Sequence, residues 1–166
     1  SGVSRLKRIR HCHEQILGRT PSDTELSELS DLFGAMVEDK VVAANWVHGA
    51  REILEAELGV RSLFIASATP QEELERIIEK RGMTHYFDSI VGSPPDKTEI
   101  IRKIVTSRRL EPESVIMIGD GRADYEAAII NGVRFVGRVP EDQPNPFPKD
   151  AAVIADLSSL SHFIRQ

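Results

Sequence analysis

The sequence predicts an α/β fold, a Rossmann-like core on a parallel sheet preceded by a helical segment, and three observations carry that prediction. After Ala44, amphipathic stretches alternate with short apolar runs, the pattern of a doubly wound sheet whose strands are joined by helices. The run Val115, Ile116, Met117, Ile118 is apolar throughout, as a strand covered on both faces must be, and it ends in Gly119-Asp120. Gly59, Gly82 and Gly132 stand where helices would stop, each supplying the left-handed residue of a C-cap.

The elements follow in order. Val3, Leu6, Ile9, Cys12 or His13, Ile16 and Leu17 recur at helical spacing and stop at Gly18. Ser22 and Glu25 have capping-box spacing and open a second helix, whose stripe runs through Leu26, Leu29, Phe33, Met36, Val37 and Val41. The short link from Gly18 to Pro21 makes these two an antiparallel helical hairpin. Beyond residue 44, helices are expected near 49–58, 70–81, 96–108, 122–131 and 158–164, and strands near 62–66, 89–91, 114–118, 134–136 and 152–154. Thr69, Pro70 and Glu72 give the helix from 70 an N-cap, a proline at its first position and a capping-box acid. Arg138, Pro140 and the segment from Glu141 to Lys149, with four prolines between 140 and 148, form a long irregular connector after a strand.

Composition narrows the function classes. With 166 residues the chain suits one globular domain, or a core with a small appended unit. A net charge of -5 gives no reason to expect nucleic-acid binding. Residues 1–19 carry five basic side chains against Glu14, and residues 20–40 carry six acids against Lys40, which reads as two helices with complementary outer faces. A single cysteine excludes an intrachain disulfide framework and suits a reducing, cytoplasmic setting. No apolar segment approaches membrane-spanning length, so no membrane partner is expected. His11, Cys12 and His13 do not share a helix face, and packing of Cys12 and His13 is preferred to metal binding. His48 reads as a loop residue entering a helix, His85 as a surface turn and Trp46 as a packing anchor.

The chemistry gathers at three strand ends. In open α/β sheets ligands sit beyond the carboxyl ends of the strands. There the sequence places Ser67 after Leu63, Phe64, Ile65 and Ala66; Lys97 after Gly92 to Asp96; and Asp120 with Asp124. Asp124 lies one helical turn after Asp120, and together they suggest a divalent cation site. The same residues also fit a strand-to-helix turn whose Asp caps the next helix. A hydroxyl with free amides at a helix start, an ammonium and a metal-ligating carboxylate are the parts that hold a phosphoryl group.

Order and context resemble the haloacid dehalogenase-like hydrolases, whose second motif is an apolar strand ending in Ser or Thr, whose third is a Lys, and whose fourth is Gly-Asp with a later Asp. Residues 63–72 (Leu-Phe-Ile-Ala-Ser-Ala-Thr-Pro-Gln-Glu), Tyr86-Phe87 and Gly92-Ser93-Pro94 are similar to the branch of phosphatases and phosphomutases with a small helical cap. The resemblance covers nearly the whole chain and implies a partial cap at 1–44 and a core at 45–166. It implies that Ser67 bonds the phosphoryl oxygens, with Ala68 and Lys97 also on the substrate. Lys97 would neutralise the phosphoryl oxygens and position the nucleophile, Asp120 would ligate Mg²⁺, and Asp124 would support the metal or its waters.

The family begins with a strand ending in Asp-x-Asp, whose first Asp attacks phosphorus and whose second is commonly the acid/base. No Asp-x-Asp occurs here, and the chain opens with Ser1-Gly2-Val3-Ser4 at a position corresponding to the inside of the cap. The resemblance therefore implies that the central first strand is missing, that Mg²⁺ is bound weakly, and that the isolated chain is inactive. It also implies a slot between the strands near 62–66 and 114–118. Three solutions would close it: a retained N-terminal peptide, direct pairing of the two strands, or a strand from a partner or strand-exchanging homo-oligomer. The activity expected of the parent is Mg²⁺-dependent hydrolysis of a small phosphorylated metabolite through an aspartyl phosphate. A phosphomutase would use the same residues, and the rival from another class is a non-catalytic phosphate-binding or regulatory module.

Overall fold

The structure is a computed structural model that describes residues 5–165, so Val3 and the opening residues lie outside the described part. Helix α1 (Arg5–Leu17) stops at Gly18, whose φ of +66° is the left-handed cap that the sequence implies. Helix α2 (Asp23–Val42) begins with the expected capping box: Glu25 N–H donates to Ser22 Oγ (3.2 Å) and Ser22 N–H donates to Glu25 Oε2 (2.9 Å). Helix α3 (Ala50–Glu57) leads into strand β1 (Phe64–Pro70), helix α4 (Gln71–Lys80) and strand β2 (Ser89–Ser93). Helix α5 (Lys97–Arg108) then precedes strand β3 (Ile116–Gly119), helix α6 (Arg122–Ile130), strand β4 (Arg134–Arg138), strand β5 (Val153–Ile154) and the short helix α7 (Ser161–Ile164).

Every ladder is parallel, as the alternation of helices and strands requires. The strands form two sheets, β1-β2 and β3-β4-β5, and β1 does not pair with β3. Direct pairing of those two strands, one of the three solutions expected from the sequence, is therefore not what the structure shows. Helix α5 packs against both β1 and α6, and α6 packs against β3 and β4, so one helical layer ties the two sheets together. Ile118, in the middle of an apolar strand, is still 41% exposed.

Side-chain alternation places a cluster on each face of β3-β4. Met117 and Phe135 pack with Ile101, Ala127, Ala128 and Val133, while Ile116 and Val136 join Ile53, Ile154 and Leu160. The proline-rich connector is anchored rather than loose: Phe147 is buried against Phe135 (ring centroids 5.1 Å apart) and Tyr125 (6.3 Å). It lies so close to Gly137 that a Cβ there would sit 2.4 Å from its ring.

Four local expectations are corrected. Thr69 and Pro70 belong to β1, and Pro70 is the N-cap of α4 with no side-chain cap bond. Glu72 therefore has no capping box to complete. Gln71 makes the local tie instead, donating from Nε2 to Ile90 O (3.0 Å) and accepting from Gly92 N–H. Helix α7 is shorter than 158–164, because Asp156 Oδ1 draws Ser158 N–H (2.9 Å) and Oγ–H (2.6 Å) into a local turn. Cys12 is exposed rather than packed. The α2 stripe is buried only at Leu26; Phe33 and Met36 are exposed, Met36 by 67%, because α2 meets the core mainly through α4 and largely by charged contacts.

Candidate functional site

Lys97 opens α5, where Asp96 caps the helix by accepting from Glu99 N–H (3.0 Å). Its ammonium donates to Asp124 Oδ1. Asp124 is only 1% exposed, and its other oxygen accepts from Asp120 N–H (3.2 Å) and Gly121 N–H (3.0 Å). One carboxylate thus holds both the β3–α6 turn and the lysine. Gly119 permits this, since a Cβ there would stand 2.2 Å from Asp124 Cβ. Cross-connection by a charge-assisted bond fixes where the ammonium of Lys97 points.

Ser67 lies within β1, where its Oγ accepts from Thr69 N–H (3.1 Å) and bends the strand end. Across from it the end of β2 comes in closely: a Cβ on Gly92 would sit 2.6 Å from Thr69 O. Ser67, Ala68, Ser93 and Lys97 consequently share one cavity of about 380 Å³, with Asp96 and Thr98 from the start of α5 and Ala123 and Glu126 from α6. The amino end of the 12-residue helix α5 forms part of this wall, adding its positive end to that of the lysine. A second concavity of about 420 Å³, between Arg61, Ser62, His85 and Asp88, lies at the opposite, amino ends of β1 and β2. Ligands in parallel α/β sheets gather at the carboxyl ends, which favours the first.

The structure therefore brings Ser67, Ala68 and Lys97 together and adds Asp124 through its bond to Lys97. Asp120 is the exposed residue of the same turn and does not line that cavity. Among the described residues, no group of three or more His, Cys, Asp or Glu could hold a metal ion. Asp124 has both oxygens on protein donors, so the residues present do not fit the octahedral oxygen set of Mg²⁺.

Residues that the sequence singled out elsewhere serve packing and turns. The Arg81 guanidinium lies over Trp46 (5.0 Å to the ring centroid), His48 Nδ1 is 3.1 Å from Asp156 Oδ2, and His85 stacks on Tyr86 (3.9 Å). Sequence reasoning missed Ser93 and Lys7 on the cavity wall. Ser93 stands in a quoted motif, so its position at a strand end was the available signal. Lys7 is one of several cations on a polar helix face, and nothing in the sequence distinguishes it.

Residues 7–138 match the family model described as haloacid dehalogenase-like hydrolase. Over 95 residues the chain is 34% identical to a 5'-nucleotidase of Pseudomonas aeruginosa, a match covering 54% of this chain and 43% of that protein. The chain thus spans less than half the length of that curated relative. Among solved structures, it is similar to a predicted phosphoglycolate phosphatase from Haemophilus somnus (TM-score 0.77, 17% identity, 98% of this chain and 79% of the other). It is also similar to a mutant of CbbY from Rhodobacter sphaeroides in complex with xylulose-(1,5)bisphosphate (TM-score 0.78, 15% identity, 96% and 76%). A haloacid dehalogenase-like family protein from Streptococcus pneumoniae gives a TM-score of 0.71 at 20% identity, covering 98% and 77%.

Proposed function

Because this chain belongs to the haloacid dehalogenase-like hydrolases, we propose that it carries the phosphate-holding part of a phosphohydrolase acting on small phosphorylated metabolites. One observation carries the reading: Ser67, Lys97 and the amino end of α5 share a single cavity at the carboxyl ends of β1 and β2. Ser67 would donate its hydroxyl to a phosphoryl oxygen, and Lys97, aimed by Asp124, would balance the charge that grows on the equatorial oxygens during transfer. At about 380 Å³ the cavity falls within the roughly 300–1,000 Å³ range of small-molecule clefts, room enough for a small phosphomonoester.

In the reading proposed, a carboxylate oxygen attacks phosphorus, the ester oxygen leaves with its electron pair, and water then cleaves the aspartyl phosphate. The 166 residues contain no Asp-x-Asp, so we expect the chain by itself to bind phosphate without turnover. We further propose that the open edges of β1 and β3 receive a strand, from a retained peptide or from another chain. A Mg²⁺ requirement is proposed only for the whole protein, to which Asp120 would contribute one carboxylate, because the described residues of this chain do not by themselves make an octahedral oxygen set. Whether the parent hydrolyses its substrate or transfers the phosphoryl group back to a sugar is decided by product analysis.

The test is binding of inorganic phosphate, followed by calorimetry, together with turnover of p-nitrophenyl phosphate. Millimolar phosphate binding that Ser67→Ala weakens about tenfold, with no turnover, is the expected result. Turnover restored by adding an apolar peptide ending in Asp-x-Asp establishes the enzyme. Absence of phosphate binding removes the proposal.

A further inference from the structure

Lys7 stands on the wall of the cavity that holds Ser67 and Lys97, yet it comes from a different part of the molecule, helix α1. Its neighbour in the chain explains how an exposed lysine can be placed there. Arg5 makes two bonds of 2.6 Å to the Glu73 carboxylate and a third to Ser30 O (3.2 Å), pinning the first turn of α1 to α2 and α4. Two residues along a helix correspond to a rotation of about 200°, so an anchored Arg5 turns Lys7 to the opposite side of α1. The anchor is buried, with 12% of the Arg5 side chain and 7% of the Glu73 side chain exposed, and it admits no bulk: a Cβ on Gly34 would meet Glu73 Oε2 at 2.7 Å.

The two lysines of the cavity differ in what they are free to do. Lys97 is bonded to the buried Asp124 and keeps a fixed station. Lys7 forms no salt bridge among the described residues, and Glu126, exposed on the same wall, lies beyond ion-pair distance of it. An ammonium on a flexible stem, facing a cavity whose other cation is already committed, is suited to a second negative charge on the ligand.

We propose that Lys7 is a specificity residue that binds a second anionic group of the substrate, a carboxylate or a second phosphate, while Ser67 and Lys97 hold the first phosphoryl group. The inference rests on the phosphate-holding role proposed above and narrows it to doubly anionic metabolites. Charge at Lys7 selects among phosphomonoesters without changing how the phosphoryl group is held.

Calorimetric titration of the 166-residue chain with ethyl phosphate, 2-phosphoglycolate and ethylene glycol bisphosphate tests it. The wild-type protein is expected to bind one or both of the doubly charged ligands more tightly than ethyl phosphate. Lys7→Met should remove that preference, a loss of about tenfold, while leaving ethyl phosphate within about twofold, and Lys7→Arg should restore it. The doubly charged ligand that loses more identifies the second group as carboxylate or phosphate. Equal losses for all three ligands, or no loss for any, overturn the assignment of Lys7. Weaker binding of all three ligands on Ser67→Ala, with the doubly charged ligands indifferent to Lys7→Met, leaves the phosphoryl site standing and removes Lys7 alone; no binding of any ligand by the wild type removes both.

Discussion

At the residue scale, Asp124 does the most with one side chain. It is nearly inaccessible, and three donors satisfy its two oxygens. Replacing Lys97 by Met removes the only cation among them and leaves a carboxylate buried on two amides, which should destabilise the fold by about 3–5 kcal/mol. Urea unfolding checks this; a loss under about 1 kcal/mol would mean that Asp124 does not depend on Lys97. Gly119→Ala drives a methyl group into Asp124 Cβ, and a cost of about 1–3 kcal/mol is expected, together with weaker phosphate binding as Lys97 loses its guide. Ser67, Lys97 and the Gly-Asp turn could be read from the sequence because strand ends and glycines mark positions. That Asp124 would turn to Lys97 could not, since a carboxylate one turn into a helix faces either a ligand or a neighbouring element, and only the placement of α5 decides which.

At the scale of elements, the α1–α2 hairpin offers a pH test. Arg19, bonded to Glu25 at 2.7 and 3.1 Å, and the Ser22 N–H hold the Glu25 carboxyl down at about 2. A carboxylate whose folded value is depressed contributes stability above its unfolded value of about 4.3, and that contribution disappears as pH falls toward the folded value. Far-UV circular dichroism should therefore show the hairpin's helicity falling between about pH 4.5 and 2, and Glu25→Gln should flatten that part of the titration. A profile unchanged by the substitution would show that the capping box does not govern α2. Helix and strand order was legible throughout because periodicity and capping residues are local. The extent of β1 was not, since Gln71 reaches across to β2 and replaces the local cap that Thr69 and Glu72 suggested. Nor was exposure of the α2 stripe, because periodicity reports that a face is apolar and not whether another element covers it. Hydrogen exchange addresses the divided sheet: β4, flanked by β3 and β5, should be the slowest strand to exchange, and β3, with one free edge, clearly faster. Equal protection of both would mean that the β3 edge is covered in solution.

At the scale of the whole molecule, the two apolar clusters sit around β3-β4, and neither contains a residue of α1 or α2. The helical pair is joined to the remainder largely by charge. Glu73 takes Arg5, Glu38 takes Lys80 (2.7 Å) and Arg76 (3.1 Å), and Arg81 donates to the last carbonyls of α2. The three ties differ in burial, and burial decides their worth. Arg76 is 52% exposed and Glu38 keeps Lys80 as a second partner, so the Arg76–Glu38 pair contributes roughly 0–1 kcal/mol, whereas breaking a pair buried on both sides strands a charge. Glu73→Ala should accordingly loosen α1 and α2 as a unit. Amide exchange in both helices should accelerate by at least about tenfold, the equivalent of 1.4 kcal/mol, while α5 and α6 hold their rates. Arg76→Ala should barely alter either. If Glu73→Ala speeds exchange equally in all four helices, the pair is holding the core together and the helical unit has no independent opening. If it speeds none, α1 is kept in place by its apolar contacts, and the anchor assigned to Arg5 is lost with it.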